Sequence, residues 1–257
     1  MISLVTLLAA NLAFQAPLAA PIVEVAGAPI ASPRSIAERN PNLTDEVRGD
    51  IMMARKMYRD AIDFYKPTAN KSAVLANKTG IAYHQLGDLN NAKKFYERAV
   101  KLDRNYAEAQ NNLGTIHYAQ KSYNNAIKQY EKALALTPGA ASVWTNLGTA
   151  YFARKRYDEA VRAYQYALQL DPDVFDRRGS NGVLLQERSV EEKALFYYTL
   201  AKTYAQAGDV ERTIRYVRFA LENGFKQRNK FTEEPEFAQF KENMEFQKLL
   251  SAEQSVL

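Results

Sequence analysis

The chain has 257 residues, 47% of them hydrophobic, with 34 basic and 29 acidic side chains giving a net charge of +5. That apolar share is ample for a core and excludes global disorder, and the small, dispersed positive excess describes mostly solvated loops and helix ends. The absence of cysteine excludes disulfides, thiol catalysis, thiolate metal sites and a lipidated cysteine together, without assigning a compartment.

Residues 1–28 read as an export signal or N-terminal anchor. Ser3 to Ala20 is apolar and carries no charged side chain. Asn11, Gln15 and Pro17 make it a poor spanning helix. The n-region has no Lys or Arg, and Ala26-Gly27-Ala28 fits a small-x-small cleavage pattern but is followed by Pro29. The expectation is an exported, periplasmic or membrane-associated protein held to a membrane only through its N-terminus, with a cytoplasmic protein as the alternative. Residues 29–41, with Pro29, Pro33 and Pro41 among small side chains, have the composition of a stiff linker.

Helical pattern begins at Thr44-Asp45-Glu46, an N-cap with an acidic first turn. From there one phrase recurs. Ala107 to Gly114 returns 34 residues later as Ala141 to Gly148, and counting back the same distance from Gly114 lands on Gly80. Ala92, Ala126 and Ala160 keep this spacing, followed four residues on by Tyr96, Tyr130 and Tyr164 and three further by Ala99, Ala133 and Ala167. Residues three and four apart share one helix face, so each unit is a pair of helices expected to meet through glycine and alanine. Gly80, Pro138 and Pro172 argue against one long helix per unit.

The units are 73–106, 107–140 and 141–174. A first, shorter one spans 42–72, where Gly49 to Ala61 matches Gly148 to Ala160; Ala61 to Gly80 spans 19 residues where Ala92 to Gly114 spans 22, and Pro67 is placed to stop its second helix. An insert, 175–193, precedes a last unit, 194–224, in which Leu200-Ala201 replaces Leu-Gly. The insert reads as a surface loop carrying Arg177 to Gly182, with Val183-Leu184-Leu185 tucked back on the array or forming a flap. Residues 225–257 are expected to cap the array, with Phe237, Phe240, Phe246 and Leu249 on the apolar side.

Trp144, Leu147, Gly148, Tyr151, Ala160, Tyr164, Ala167 and Pro172 resemble the pattern of the tetratricopeptide repeat (TPR) family. The likeness covers about residues 42–224, and the closing segment looks like that of short bacterial TPR proteins with an export signal. The resemblance implies an all-α fold, a right-handed superhelical solenoid of TPR helix-turn-helix units with a C-terminal capping helix. It also implies that the first helix of each unit lines a concave groove. The offsets that face inward map to Asn77, Ile81 and His84; Asn111, Thr115 and Tyr118; Thr145, Thr149 and Phe152; and Tyr198 and Lys202. Asn112 and Asn146 stand at the family's common asparagine, where the unit before has Lys78. Amides, hydroxyls and aromatic rings of this kind suit a peptide backbone and apolar side chains. Family members that clamp a terminal carboxylate use a lysine and an asparagine where this chain has Asn77 and Ile81, which argues against such a clamp.

The function expected is a non-catalytic scaffold that holds a protein or peptide segment, with no cofactor and no metal. The sequence has no phosphate-binding glycine loop, nucleophile elbow or paired-histidine metal motif, and His84 and His117 fall in different units, His117 at a packing position. A structural or self-assembling part of a cell-envelope complex is the alternative. An RNA-binding repeat is disfavoured by the neutral groove. Short basic runs at Arg154 to Arg156, Arg177-Arg178 and Lys226 to Lys230 are the only candidates for a patch that would meet an acidic partner or anionic headgroups.

Overall fold

The computed structural model describes residues 42–176 and 189–252. The expected export signal at 1–28, the linker at 29–41, the basic and apolar stretches of the insert from Arg177 to Leu185, and residues 253–257 lie outside them. Among the described residues there are helices and no strands. They follow as α1 (Asp45–Ala54), α2 (Tyr58–Tyr65), α3 (Ala73–Gln85), α4 (Leu89–Leu102), α5 (Ala107–Ala119), α6 (Tyr123–Leu136), α7 (Ala141–Ala153), α8 (Tyr157–Leu170), α9 (Val190–Ala207), α10 (Val210–Glu222), a short α11 (Lys230–Glu233), a 3-10 turn at Pro235–Phe240, and α12 (Met244–Ser251). Each odd helix from α1 to α9 packs along the even one after it, and each even helix from α2 to α8 then packs on the next odd one. Stability therefore comes from repeat interiors and nearest-neighbour interfaces.

Local chemistry sets the helix starts. The side chains of Thr44, Ser72, Asp88, Ser189, Asp209 and Asn243 accept hydrogen bonds from first-turn amides of α1, α3, α4, α9, α10 and α12, each worth about 1 kcal/mol. Helices α5 to α8, in the middle of the array, have no such cap. They are held by packing on both sides, which is where most helical stability in proteins originates.

The tight turn between the two helices of each unit has one fixed feature. Seven residues after Gly49, Gly80, Gly114, Gly148 and Ala201 stand Lys56, Gly87, Lys121, Lys155 and Gly208, and all five have positive φ, between 58° and 76°. Glycine adopts this conformation freely, whereas a side chain brings Cβ close to the following carbonyl.

The sequence expectation that small residues meet small residues needs correction. A Cβ on Gly49, Gly80, Gly114 or Gly148 would lie 2.2, 2.6, 2.6 or 2.5 Å from a ring carbon of Tyr65, Tyr96, Tyr130 or Tyr164. The glycine is thus a socket for the tyrosine sixteen residues later, and each of these rings is at most 2% exposed. The alanines of the second helix, Ala92, Ala126 and Ala160, are fully buried and keep the helix axes close. In the last unit the corresponding pair is Ala201 and Val217, both fully buried: a methyl is added on one helix and a ring removed from the other.

The two edges of the insert depart from expectation. Phe175, placed by the repeat count as the first residue of the insert, is fully buried and meets the rings of Tyr164 and Tyr204 edge-on, at 5.2 and 6.2 Å. Helix α9 begins at Val190, four residues before Ala194. At the C-terminus Phe237, Phe240 and Phe246 are at most 1% exposed, with Leu249 partly buried against them.

Gly114→Ala is expected to lower stability by about 2 kcal/mol through overpacking against Tyr130, read by urea unfolding, and Gly114→Ala combined with Tyr130→Val should cost less than the sum of the two single changes. Lys121→Gly should raise stability by roughly 0.5–1 kcal/mol by relieving the left-handed turn, seen as a higher melting temperature.

Candidate partner-binding groove

The residues at the inward offsets of the first helices fall into three stretches that the structure treats differently. In the middle, from α3 to α7, runs a ladder of amides. Asn112 Nδ2 donates to Asn77 Oδ1 at 3.0 Å, and Asn146 Nδ2 donates to Asn111 Oδ1 at 3.0 Å. Asn77 also donates to Glu108 Oε1 at 3.0 Å and to the Tyr106 hydroxyl at 3.3 Å. With only 1% of its surface exposed, Asn77 is a structural link between units. Asn111, Asn112, Asn146, Ile81, His84, Thr115 and Tyr118 remain half-buried and present polar and aromatic surface side by side. Burial holds the His84 imidazole below its ordinary range, so it is neutral near pH 7. Burial lowers His117 too, with Lys93 adding to the effect.

Several expected wall residues are instead packed inside. Thr145 is 6% and Thr149 2% exposed. Both hydroxyls turn back onto their own helix, to the carbonyls of Ala141 and Thr145, and Thr149 also meets the Tyr164 hydroxyl at 3.2 Å. Thr115 receives the Tyr130 hydroxyl in the same way at 3.4 Å. Phe152, at 4% exposure, lies edge-on to Tyr157 and Phe196 at 5.3 and 5.5 Å. Tyr118 holds the same place one unit earlier, with its ring 5.4 Å from Tyr123, and keeps an accessible edge because the residue matching Phe196 there is the smaller Val143. The aromatic row expected along the groove therefore reduces to Tyr118.

At the N-terminal end, the offsets applied to Gly49 give Glu46 and Asp50, which the sequence reading left out. Lys78 bridges them, its Nζ 2.8 Å from each carboxylate, and the Tyr65 hydroxyl donates to Asp50 at 2.7 Å. Lys78 stands where the next two units have the ladder asparagine, so an ion pair replaces an amide pair at this junction. Burial alone would lower the Lys78 ammonium, and the hydrogen bonds to Asp50 and Glu46 reverse this and hold it above its ordinary range.

At the C-terminal end the wall is occupied by the chain itself. The Tyr198 hydroxyl donates to Glu234. Lys202 Nζ lies 3.1 Å from Glu234 and 3.3 Å from Glu236, Gln206 donates to Glu236 at 2.9 Å, and Gln239 donates to the Ala205 carbonyl at 2.7 Å. Tyr198 stacks on Phe225 at 4.5 Å and is 5% exposed. Burial, then the hydrogen bond to Glu234, pushes its phenol far above the usual tyrosine range. Beside this contact, between the start of α8, α9 and the 224–234 segment, opens a cleft of 720 Å³. Its lining includes Tyr198 and Lys202 together with Lys155 and Arg162, at positions where the preceding unit has Lys121 and Lys128, and Lys226 from the segment after α10. Among the described residues, no three His, Asp or Glu side chains gather as a metal site, and no helix is long and apolar enough to cross a membrane.

An all-helical stack of antiparallel pairs, with a polar wall made by the first helix of each, is a helical-repeat solenoid. The family model of the tetratricopeptide repeat matches residues 141–174, and that of the TPR repeat matches 80–121 and 114–154. Residues 80–174 match tetratricopeptide repeats, and the fold is that of the TPR solenoid. Solved structures agree: MamA at 24% identity over 68% of this chain and 93% of that one, with a TM-score of 0.50, and in a second crystal structure at 23% over 79% and 96%, also 0.50. YrrB, described as a TPR protein with an unusual peptide-binding site, matches at 15% identity over 77% of this chain and 94% of its own, at 0.50. No curated protein matches the chain.

Phe152→Ala is expected to destabilise the array by roughly 3–5 kcal/mol, and Tyr118→Ala by markedly less. Chemical denaturation of the two variants, side by side, separates a packing ring from a groove ring.

Proposed function

We propose that the protein is a non-catalytic scaffold that holds a segment of another polypeptide against the amide wall between α3 and α7. The observation that carries this reading is the surface formed by Asn111, Asn112, Asn146, Thr115, His84, Ile81 and Tyr118, all half-buried on consecutive first helices. Amides offer donors and acceptors together, which matches a peptide backbone. A half-exposed tyrosine adds apolar area with few rotamers to freeze. His84 is neutral near pH 7, so the wall has little charge to attract phosphates. The peptide-binding site attributed to YrrB supports the same use of this fold. Export, and attachment to a membrane through residues 1–28, belong to the proposal as its setting.

A photo-crosslinking residue at Tyr118 is expected to capture a polypeptide in cells, while the same residue at exposed Lys132 on α6 captures none. Equal capture of one band from both positions would overturn the groove assignment. Sequencing the N-terminus of the mature protein tests export.

A further inference from the structure

Two of the short basic runs in the sequence, Arg154 to Arg156 and Lys226 to Lys230, lie some 70 residues apart in the chain. The fold brings Lys155 and Arg156 of one and Lys226 and Lys230 of the other to the lining of the 720 Å³ cleft beside α9. Six basic and four acidic side chains line it. Half of the cations are already committed. Arg156 pairs with Glu159, Lys202 with Glu234 and Glu236, and Lys230 with Glu234. Lys155, Arg162 and Lys226 are exposed and form no ion pair with any described carboxylate. Arg162 and Lys226 still act at longer range, helping to hold Glu159 and Glu191 below the usual carboxylate range after closer hydrogen bonds have done most of it.

A further observation says what these cations are for. The wall of this cleft already holds Glu234, from an acidic stretch of the chain's own. Glu234 and Glu236, either side of Pro235, lie on Tyr198, Lys202 and Gln206 by hydrogen bonds and ion pairs. Tyr198 and Lys202, which line the cleft, thus hold one glutamate just before the 3-10 turn and, through Lys202, a second one inside it, and the three cations without an ion pair extend that cationic surface outward.

Building on the groove reading, we infer that this cleft binds an acidic peptide segment of the protein partner, its Asp or Glu side chains paired with Arg162, Lys226 and Lys155. Arginine supplies a planar fork for a carboxylate, and the lysines supply mobile point charges on either side. A polypeptide is favoured over a polyanion of phosphates because four carboxylates share the lining and would repel a continuous line of phosphate charge, whereas spaced glutamates can sit between them. The cleft also abuts Phe225, Leu195 and Val161, apolar contacts that suit side chains between the acids.

The test uses the protein from residue 42 onward alongside the full chain. Its probe is a fluorescein-labelled short peptide of alternating Glu and Ala, read by anisotropy at low ionic strength. Binding is expected to weaken with added salt and to fall about tenfold in Arg162→Gln/Lys226→Gln, with the melting temperature little changed because both side chains are exposed and act on Glu159 and Glu191 only at longer range. The matching Gln–Ala peptide should bind at least as poorly as the double variant binds the acidic one. Equal binding of the Gln and Glu peptides, or an unaltered affinity in the double variant, overturns the assignment. So does tighter binding of single-stranded RNA or of phosphatidylserine vesicles than of the acidic peptide through the same two residues. The two readings fail separately. Capture at Tyr118 with no acidic-peptide binding leaves the groove and removes the cleft, and acidic-peptide binding without capture at Tyr118 does the reverse.

Discussion

The contact on which this molecule depends is a tyrosine ring whose edge carbons fill the space of a missing side chain. Gly49, Gly80, Gly114 and Gly148 each leave the space that Tyr65, Tyr96, Tyr130 and Tyr164 fill. A buried ring of this size stabilises by about 2 kcal/mol, and the close approach it permits sets how far apart the two helices of a hairpin lie. The same ring carries a hydroxyl that emerges at the residue after the glycine. Where that residue is Asp50, Thr115 or Thr149 it meets the hydroxyl, and where it is Ile81 it cannot. Intra-hairpin packing and the chemistry of the inner wall are therefore coupled through one side chain.

Junctions between hairpins vary more than their interiors. The amide ladder joins the middle units, an ion cluster around Lys78 joins the first to the second, and an aromatic cluster built on Phe175, Phe196 and Tyr204 joins the fourth to the last. An amide pair is a neutral, short-range link. Exposed carboxylate–ammonium pairs are weak singly and screened by salt, whereas aromatic packing is indifferent to ionic strength. The array is thus graded, loosest at the α1–α2 hairpin and firmest where α9, α10 and the closing phenylalanines meet.

What was legible in the chain follows from periodicity. Helix pairs, their phase, the short first unit and the apolar residues of the cap could all be read, because glycine, tyrosine and alanine recur at fixed distances and each repeat places them identically. The groove was only partly legible. Offsets identify which helix face a residue occupies, but whether the side chain is open depends on what the next unit brings. Tyr118 faces Val143 and stays accessible, while Phe152 faces Phe196 and does not. Asn77 looked like a surface amide until Tyr106, at the end of its own unit, and Glu108, in the next, closed over it. Arg162 and Lys226 could not have been paired by any periodic argument, since they come from a second helix and from the segment after α10. Glu46 and Asp50 could have been found by the same counting that gave Asn77 and Ile81.

The way the chain folds back on its own last unit gives the trough a direction. Glu234, Glu236 and Gln239 bond to Tyr198, Lys202, Gln206 and the Ala205 carbonyl, so the inner face of α9 is covered by the chain itself. Under the proposed scaffold reading, a guest lying along the amide wall would meet this segment at one end only. Its register would then be set from its leading tip inward, and a tip of the wrong length or sign would shift every contact behind it.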